Sequence, residues 1–160
     1  MWLIDTNVIS EIGKRKPDQK VLNWFASEKQ DEILISIVSI AEIRSGFELL
    51  VEQEKRKRFS VWLEETVRPM FSGRILGISE DILVTWRTLA REAKIQNQTI
   101  PQADSLIAAT AKQTGLVICT RDVRPFLICR LPTFNPFTGE CFRAFSELDE
   151  SRGIPKSVLK

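Results

Sequence analysis

A short apolar run, Trp2-Leu3-Ile4, opens the chain and stops at a carboxylate, Asp5. The run lacks the polar alternation of a half-exposed strand, so it reads as a strand buried on both faces. The pattern then recurs. Ile33-Leu34-Ile35-Ser36 precedes a helix, read from about Ser39, with Glu42 in its first turns. Leu116-Val117-Ile118-Cys119-Thr120 precedes Arg121-Asp122. Arg74 to Ile78 reads as a further strand, and Leu131 to Phe134 as a short last one. The segments between carry helical spacing: Thr6 to Gly13, Asp18 to about Glu28, and Lys55 onward until Pro69 stops it. Two more run from a Ser79 cap to about Gln96, and from Pro101 to Gly115. Strands alternating with helices predict an α/β fold with a parallel sheet covered on both faces. In such sheets ligands bind outside the carboxyl ends of the strands, where these acids fall.

At 160 residues the chain is long enough for one domain with a real core. The segment from Cys141 to Lys160 is weakly patterned and reads as the greater part of a C-terminal extension, 138–160. A net charge of +2 excludes little. Asp5 breaks the N-terminus before a signal-peptide core can form, and no apolar run is long enough for a bilayer. The expected location is the cytoplasm. Three cysteines without CxxC spacing argue against a disulfide framework, and Cys119 reads as a small buried hydrophobe. The chain contains no histidine. That removes histidine triads, histidine general bases and histidine-rich zinc sites. Hydrolytic chemistry would have to rest on carboxylates, lysines, hydroxyls or thiols.

Asp104 adds a fourth acid, in the first turn of a helix that the sheet can bring to the same edge. Taken singly, each acid is explained by helix capping or by the helix dipole. Three acids at equivalent sheet ends are harder to explain that way. Converged, Asp5, Glu42, Asp104 and Asp122 would repel unless a cation shared the site. Mg²⁺, with Mn²⁺ as substitute, is the natural guest: it takes oxygen ligands, keeps several waters and engages few carboxylates. Thr6, Asn7 and Thr120 stand beside these acids and could orient a ligating carboxylate or a bound water; Thr6 fits a helix cap equally well. The basic runs Lys14 to Lys16 and Lys55 to Arg58 read as solvated faces, unless they flank the acidic cleft, where they would attract a polyanionic backbone. The four tryptophans fall on apolar faces and read as core or interface.

Leu3 to Ser10, with its Asp5-Thr6-Asn7 centre, resembles the opening motif of the PIN-domain nucleases. Ser39 to Gly46 resembles the second motif, Ala103 to Ala111 the third, and Thr120-Arg121-Asp122 the fourth. Phe71 to Leu76 and Phe134-Asn135-Pro136-Phe137 add a resemblance to the VapC-type toxins, in particular the FitB-like branch. The resemblance implies a three-layer α/β/α sandwich with a central parallel sheet, with a nuclease domain over residues 1–137. It implies a Mg²⁺- or Mn²⁺-dependent endoribonuclease, the toxin of a type II toxin–antitoxin pair, with Asp5, Glu42, Asp104 and Asp122 as catalytic, metal-binding acids. Relatives often carry Asn where this chain has Asp122. It also implies a homodimer and a DNA-binding antitoxin that places a basic side chain in the cleft. The alternatives are a PIN-like module that binds RNA or antitoxin without cutting, and a nuclease acting on DNA or structured RNA. A small-molecule phosphatase is disfavoured, since no glycine-rich phosphate cradle is present.

Overall fold

The computed structural model describes residues 1–142. Most of the expected C-terminal extension lies outside the described residues. The elements in chain order are β1 (Trp2–Ile4), α1 (Thr6–Ile12), α2 (Gln19–Ser27), β2 (Ile33–Ser36), α3 (Ile37–Glu48), α4 (Gln53–Trp62), α5 (Arg68–Met70), β3 (Ile75–Leu76), α6 (Glu80–Ile95), α7 (Gln102–Thr114), β4 (Val117–Cys119), α8 (Arg124–Ile128), β5 (Thr133–Asn135) and β6 (Glu140–Phe142). The sheet order is β3-β2-β1-β4-β5-β6. All neighbours pair in parallel except β5 and β6, which are antiparallel.

The sheet therefore matches the α/β expectation and departs from it at one edge. Asn135 starts the turn that makes the difference: its carbonyl accepts from Thr138 and Gly139, and Gly139 takes φ 83°, open to glycine at little cost. The chain reverses there and lays β6 antiparallel on β5.

Strand alternation divides the core into two. Ile4, Ile33, Ile35 and Cys119 face one way, onto a cluster with Val8 and Ile9 of α1, Val21 and Trp24 of α2, and Ile40, Ile43 and Phe47 of α3. Leu3 and Ile118 face the other way, onto Ile107, Ala108 and Ala111 of α7 and Leu89 of α6. Successive side chains on a strand point to opposite faces, so a buried central strand needs both layers. The small side chains of Ala108, Ala109 and Ala111 let α7 lie close to the sheet.

Several boundaries differ from expectation. Ser36 is both the last residue of β2 and the cap of α3, its hydroxyl accepting from Val38 N at 3.1 Å, so α3 starts at Ile37 rather than near Ser39. Pro69 does not stop the fourth helix. A π turn over Leu63–Val67 carries the chain into α5, with Arg68 N–H bonded to the Leu63 carbonyl. The wider turn relieves the clash a proline ring makes with a standard helical carbonyl. β3 is only Ile75–Leu76, and beside it the Arg74 side chain ties carbonyls together: its guanidinium donates to Ile33 O at 2.6 Å and to the carbonyls of Gln30 and Met70. Trp2, Trp24, Phe25 and Phe134 form one packed aromatic cluster, with ring centroids 5.0–5.9 Å apart. These early aromatics thus serve the core and its rim.

β1 has β2 on one side and β4 on the other, and the chain leaves it in opposite directions. That reversal opens a crevice at the carboxyl ends of the strands, the usual ligand position in an open parallel sheet.

Candidate acidic active site

Asp5 follows β1 and caps α1. Its backbone is extended (φ −84°, ψ 161°), its N–H bonds to the Cys119 carbonyl at 3.0 Å, and its side chain is 5% exposed. Three donors hold the carboxylate: Thr6 N–H on Oδ1 at 2.7 Å, and on Oδ2 the Asn7 amide at 2.6 Å and the Thr120 hydroxyl at 2.7 Å. Thr120, fully buried after β4, also accepts from the Asn7 amide at 3.0 Å and from Asp122 N–H at 3.1 Å. The Asn7 side-chain Oδ1 accepts from Arg121 N–H at 3.0 Å. Asn7 thereby clamps the end of β1 to the end of β4. Since Asp5 takes the capping role, the Thr6 hydroxyl is free to donate to Glu42 Oε2, at 2.5 Å.

The four acids predicted from the sequence face one region. Glu42 comes from α3, tied through Thr6 to the start of α1. Asp104 stands in the first turn of α7, and Asp122 follows β4. Their convergence is visible in how they perturb one another. Burial raises the Asp5 carboxyl above the ordinary carboxylate range; hydrogen bonds from Thr120 and Thr6 N–H oppose this, and the charges of Glu42 and Asp122 add to it. The half-buried Asp104 carboxyl is pushed up to about 6, by burial first and then by Asp5, Glu42 and Asp122. Among the described residues no lysine or arginine forms an ion pair with any of the four.

This is a negative cleft without its counter-charge. The donor set suits a hard divalent cation: carboxylate oxygens, with hydroxyl and amide groups behind them. Among the described residues no three His, Cys, Asp or Glu side chains stand close enough together to enclose a metal ion. An ion that keeps most of its waters and takes one or two carboxylates fits such a cleft; a zinc cage of protein ligands does not. Cys119, whose carbonyl accepts from Asp5 N–H, is no nucleophile here: it is buried and burial drives its thiol far up.

A second buried acid was not anticipated. Glu11, near the far end of α1, is 2% exposed. Lys14 Nζ reaches its Oε1 at 2.5 Å, Arg121 Nη2 the same oxygen at 2.8 Å, and Asp18 N–H its Oε2 at 3.0 Å. The Arg121 guanidinium also lies over the Phe137 ring, 3.9 Å from its centre. Burial alone would raise the Glu11 carboxyl, but the Lys14 and Asp18 hydrogen bonds and the charges of Lys14 and Arg121 hold it below the ordinary range. The available signal was an acid three residues after Val8, on the buried stripe of the helix.

From Thr6 and Glu42 a largely apolar groove of about 370 Å³ runs between α1, α3 and α4, past Phe47 and Phe59 to Gly13 and Trp62. Trp62 lines the groove wall. Gly13 lies close against it: a Cβ there would meet the Trp62 ring at 3.0 Å and press on it.

The PIN-domain family model matches residues 2–130. The chain is 36% identical over 137 residues to Toxin FitB of Neisseria gonorrhoeae, covering 86% of this chain and 99% of that one. It is equally identical, at 36% over 137 residues, to the VapC ribonuclease Y4jK of Sinorhizobium fredii, covering 86% and 98%. Its structure superposes on the crystal structure of FitAcB from Neisseria gonorrhoeae with a TM-score of 0.80, covering 86% of this chain and 99% of the other.

Proposed function

The chain belongs to the PIN-domain family, and from that premise we propose that it is a metal-dependent endoribonuclease, the toxin of a type II toxin–antitoxin pair. The observation that carries the reading is the uncompensated acidic cleft, with the Asp104 carboxyl pushed up to about 6 by burial and by its three acidic neighbours. Mg²⁺, or Mn²⁺ in its place, would keep most of its waters and sit among Asp5, Asp104 and Asp122 with Glu42 assisting, one or two carboxylates binding it directly and the others through its waters. When bound, such an ion orients and activates water and neutralises charge growing on a scissile phosphodiester.

The chain's own residues prepare that site. Thr120, Asn7 and Thr6 N–H fix the Asp5 carboxylate before any ligand arrives, so little reorganisation is needed during reaction. The Thr6 hydroxyl does the same for Glu42. Asp104, whose carboxyl is pushed up to about 6 by burial and by the negative charges around it, would be drawn towards its ionised form by a bound cation. Residues 1–137 form the nuclease domain in this reading, and the cytoplasm, where RNA is exposed, is the place of action. The relatives' names support the toxin role. An antitoxin would seat a segment along the groove by α3 and α4 and direct a cationic side chain at the acids, in competition with the metal. A homodimer completes the proposed assembly; a monomeric mass at micromolar concentration without antitoxin would count against it.

The test is cleavage of a mixed RNA set by the antitoxin-free protein with Mg²⁺, Mn²⁺ or EDTA, beside an Asp5→Asn variant. Metal-dependent cleavage should fall at least about 100-fold in the variant, the scale on which a preorganised electrostatic group acts. Metal and RNA binding without turnover in the wild-type chain would leave a binding module instead.

A further inference from the structure

The two basic runs, distant in sequence, meet in the structure. Arg15 from the loop after α1 and Lys55, Lys57 and Arg58 from α4 line one open pocket of about 500 Å³ together with Glu52 and Glu54. Glu52 is engaged by Lys55 at 2.6 Å. Arg58 lies over the Phe59 ring, 5.3 Å from its centre. No ion pair holds Arg15, Lys57 or Arg58 among the described residues, so three cations face the single carboxylate of Glu54. Lys14, the neighbouring cation, is spent on Glu11.

The pocket is placed to serve the acidic cleft. Gly13, two residues before Arg15, packs on Trp62, and Phe59 follows Arg58; these residues line the groove that ends at Thr6 and Glu42. Helix α1, 7 residues long and so roughly 10 Å at 1.5 Å per residue, runs from the acids at its start towards the loop that carries Arg15. A strand whose scissile phosphate lies among the acids can thus set a later phosphate among Arg15, Lys57 and Arg58. A negative cleft repels the very backbone it must cut, and a positive pocket one helix away offsets that repulsion. Planar guanidinium groups suit phosphate oxygens, which they can bind in pairs.

We propose that the pocket formed by Arg15, Lys57 and Arg58 is a docking site for the phosphate backbone of single-stranded RNA, feeding the strand along α1 into the acidic cleft. The proposal rests on the nuclease reading of that cleft, but its test separates the two. Binding of a fluorescein-labelled single-stranded oligoribonucleotide is followed by anisotropy in the Asp5→Asn background, where nothing is cut, over a range of salt. The triple substitution Arg15→Gln/Lys57→Gln/Arg58→Gln should weaken binding about 10-fold or more near 100 mM salt. It should also reduce the slope of log affinity against log salt by about 2, since each released single-strand phosphate contact is worth about 0.7. A control that removes equal charge from exposed α6, Arg87→Gln/Arg91→Gln/Lys94→Gln, should do neither. In the active protein, kcat/KM for the oligonucleotide should fall relative to that for a dinucleotide, whose only phosphodiester is at the acids.

Unchanged affinity and slope in the pocket triple, or equal losses in the α6 control, would overturn the proposal. So would intact RNA binding with loss of antitoxin binding, which would assign the pocket to a protein partner. Charge-dependent RNA binding without cleavage by the wild-type chain would leave the docking site standing and remove the nuclease reading.

Discussion

Asp5 and Glu11 sit at opposite ends of α1, both nearly sealed from water, and their surroundings push them in opposite directions. At the Asp5 end the neighbours are three more carboxylates, and the donors are a hydroxyl, an amide and a backbone N–H. At the Glu11 end the neighbours are Lys14 and Arg121. Burial raises a carboxyl in both places; only the Glu11 end supplies enough positive charge to reverse it. Burial therefore does not mark the functional acid. The mark is burial left uncompensated, which the fold sustains at one end of the helix because the other end is securely tied.

The strongest way to break this contrast is to remove each acid and compare stability. Glu11→Ala strands Lys14 and Arg121 and leaves Asp18 N–H without its acceptor. Losing one partner of a buried pair costs 3–5 kcal/mol. Both cations are half exposed and can turn to water, so about 2–3 kcal/mol is expected in urea unfolding. Asp5→Asn keeps the N-cap acceptor for Thr6 N–H and removes a repelling charge, which offsets the loss of the oxygen that Asn7 and Thr120 share, so its cost should stay within about 1 kcal/mol. Equal costs at the two positions would show that the two ends do the same job.

A pH titration sharpens the contrast with a smaller effect. Asp104 holds its proton to about 6 in the folded chain against an ordinary 3.8, so the folded state binds more protons between these values. Stability of the metal-free protein then falls as pH rises from about 4 to 6, the reverse of the usual carboxylate slope. In a sealed site this would amount to about 3 kcal/mol; screening at a half-buried group reduces it to about 1 kcal/mol. Glu11, held below its ordinary 4.5, contributes stability above that pH and loses it as pH falls further. The melting temperature in EDTA should therefore pass through a maximum on the acid side of 6. Asp104→Asn should flatten the upper limb, and Mg²⁺ should raise it by binding the ionised form. A melting temperature that climbs steadily from pH 4 to 7 in EDTA would contradict the raised Asp104.

The two ends of α1 also differ in how plainly they stand in the sequence. Asp5 is announced by the apolar run that stops at it, and Glu42 and Asp122 by following similar runs. Thr6, Asn7 and Thr120 follow by adjacency. Parallel topology then turns strand order into spatial convergence, which is why acids 117 positions apart in sequence, Asp5 and Asp122, could be grouped in advance. Glu11 could not be grouped that way. Its burial depends on Arg121, 110 residues on, and on a loop whose backbone donor at Asp18 leaves no compositional trace. The short elements were lost for a related reason. Helix α8 has five residues and β6 three, too few to complete a period, and β6 exists because Gly139 turns the chain back onto β5. The π turn before Pro69 has no sequence pattern of its own; the proline that reads as a stop is accommodated by the widening ahead of it.

The smallest effect probes whether the ends are separate compartments. Arg121 belongs to both: its side chain holds Glu11 and stacks on Phe137, while its backbone N–H holds Asn7 and so Asp5. Arg121→Lys keeps the charge and the backbone N–H and gives up the planar stack and the guanidinium donor. Stacking at a half-exposed cation is worth about 0.5–1 kcal/mol, which sets the expected loss in urea unfolding. RNA cleavage should stay within about twofold, because the backbone bond to Asn7 survives. In a double-mutant cycle with Glu11→Gln the two losses should fall short of additive, since each removes part of the same contact. A tenfold loss of cleavage with stability intact would mean that the guanidinium plane itself sets the Thr120–Asp122 turn. The tie at the Glu11 end would then tune the acids directly, and the division between a compensated end and an uncompensated one would give way to a single coupled unit.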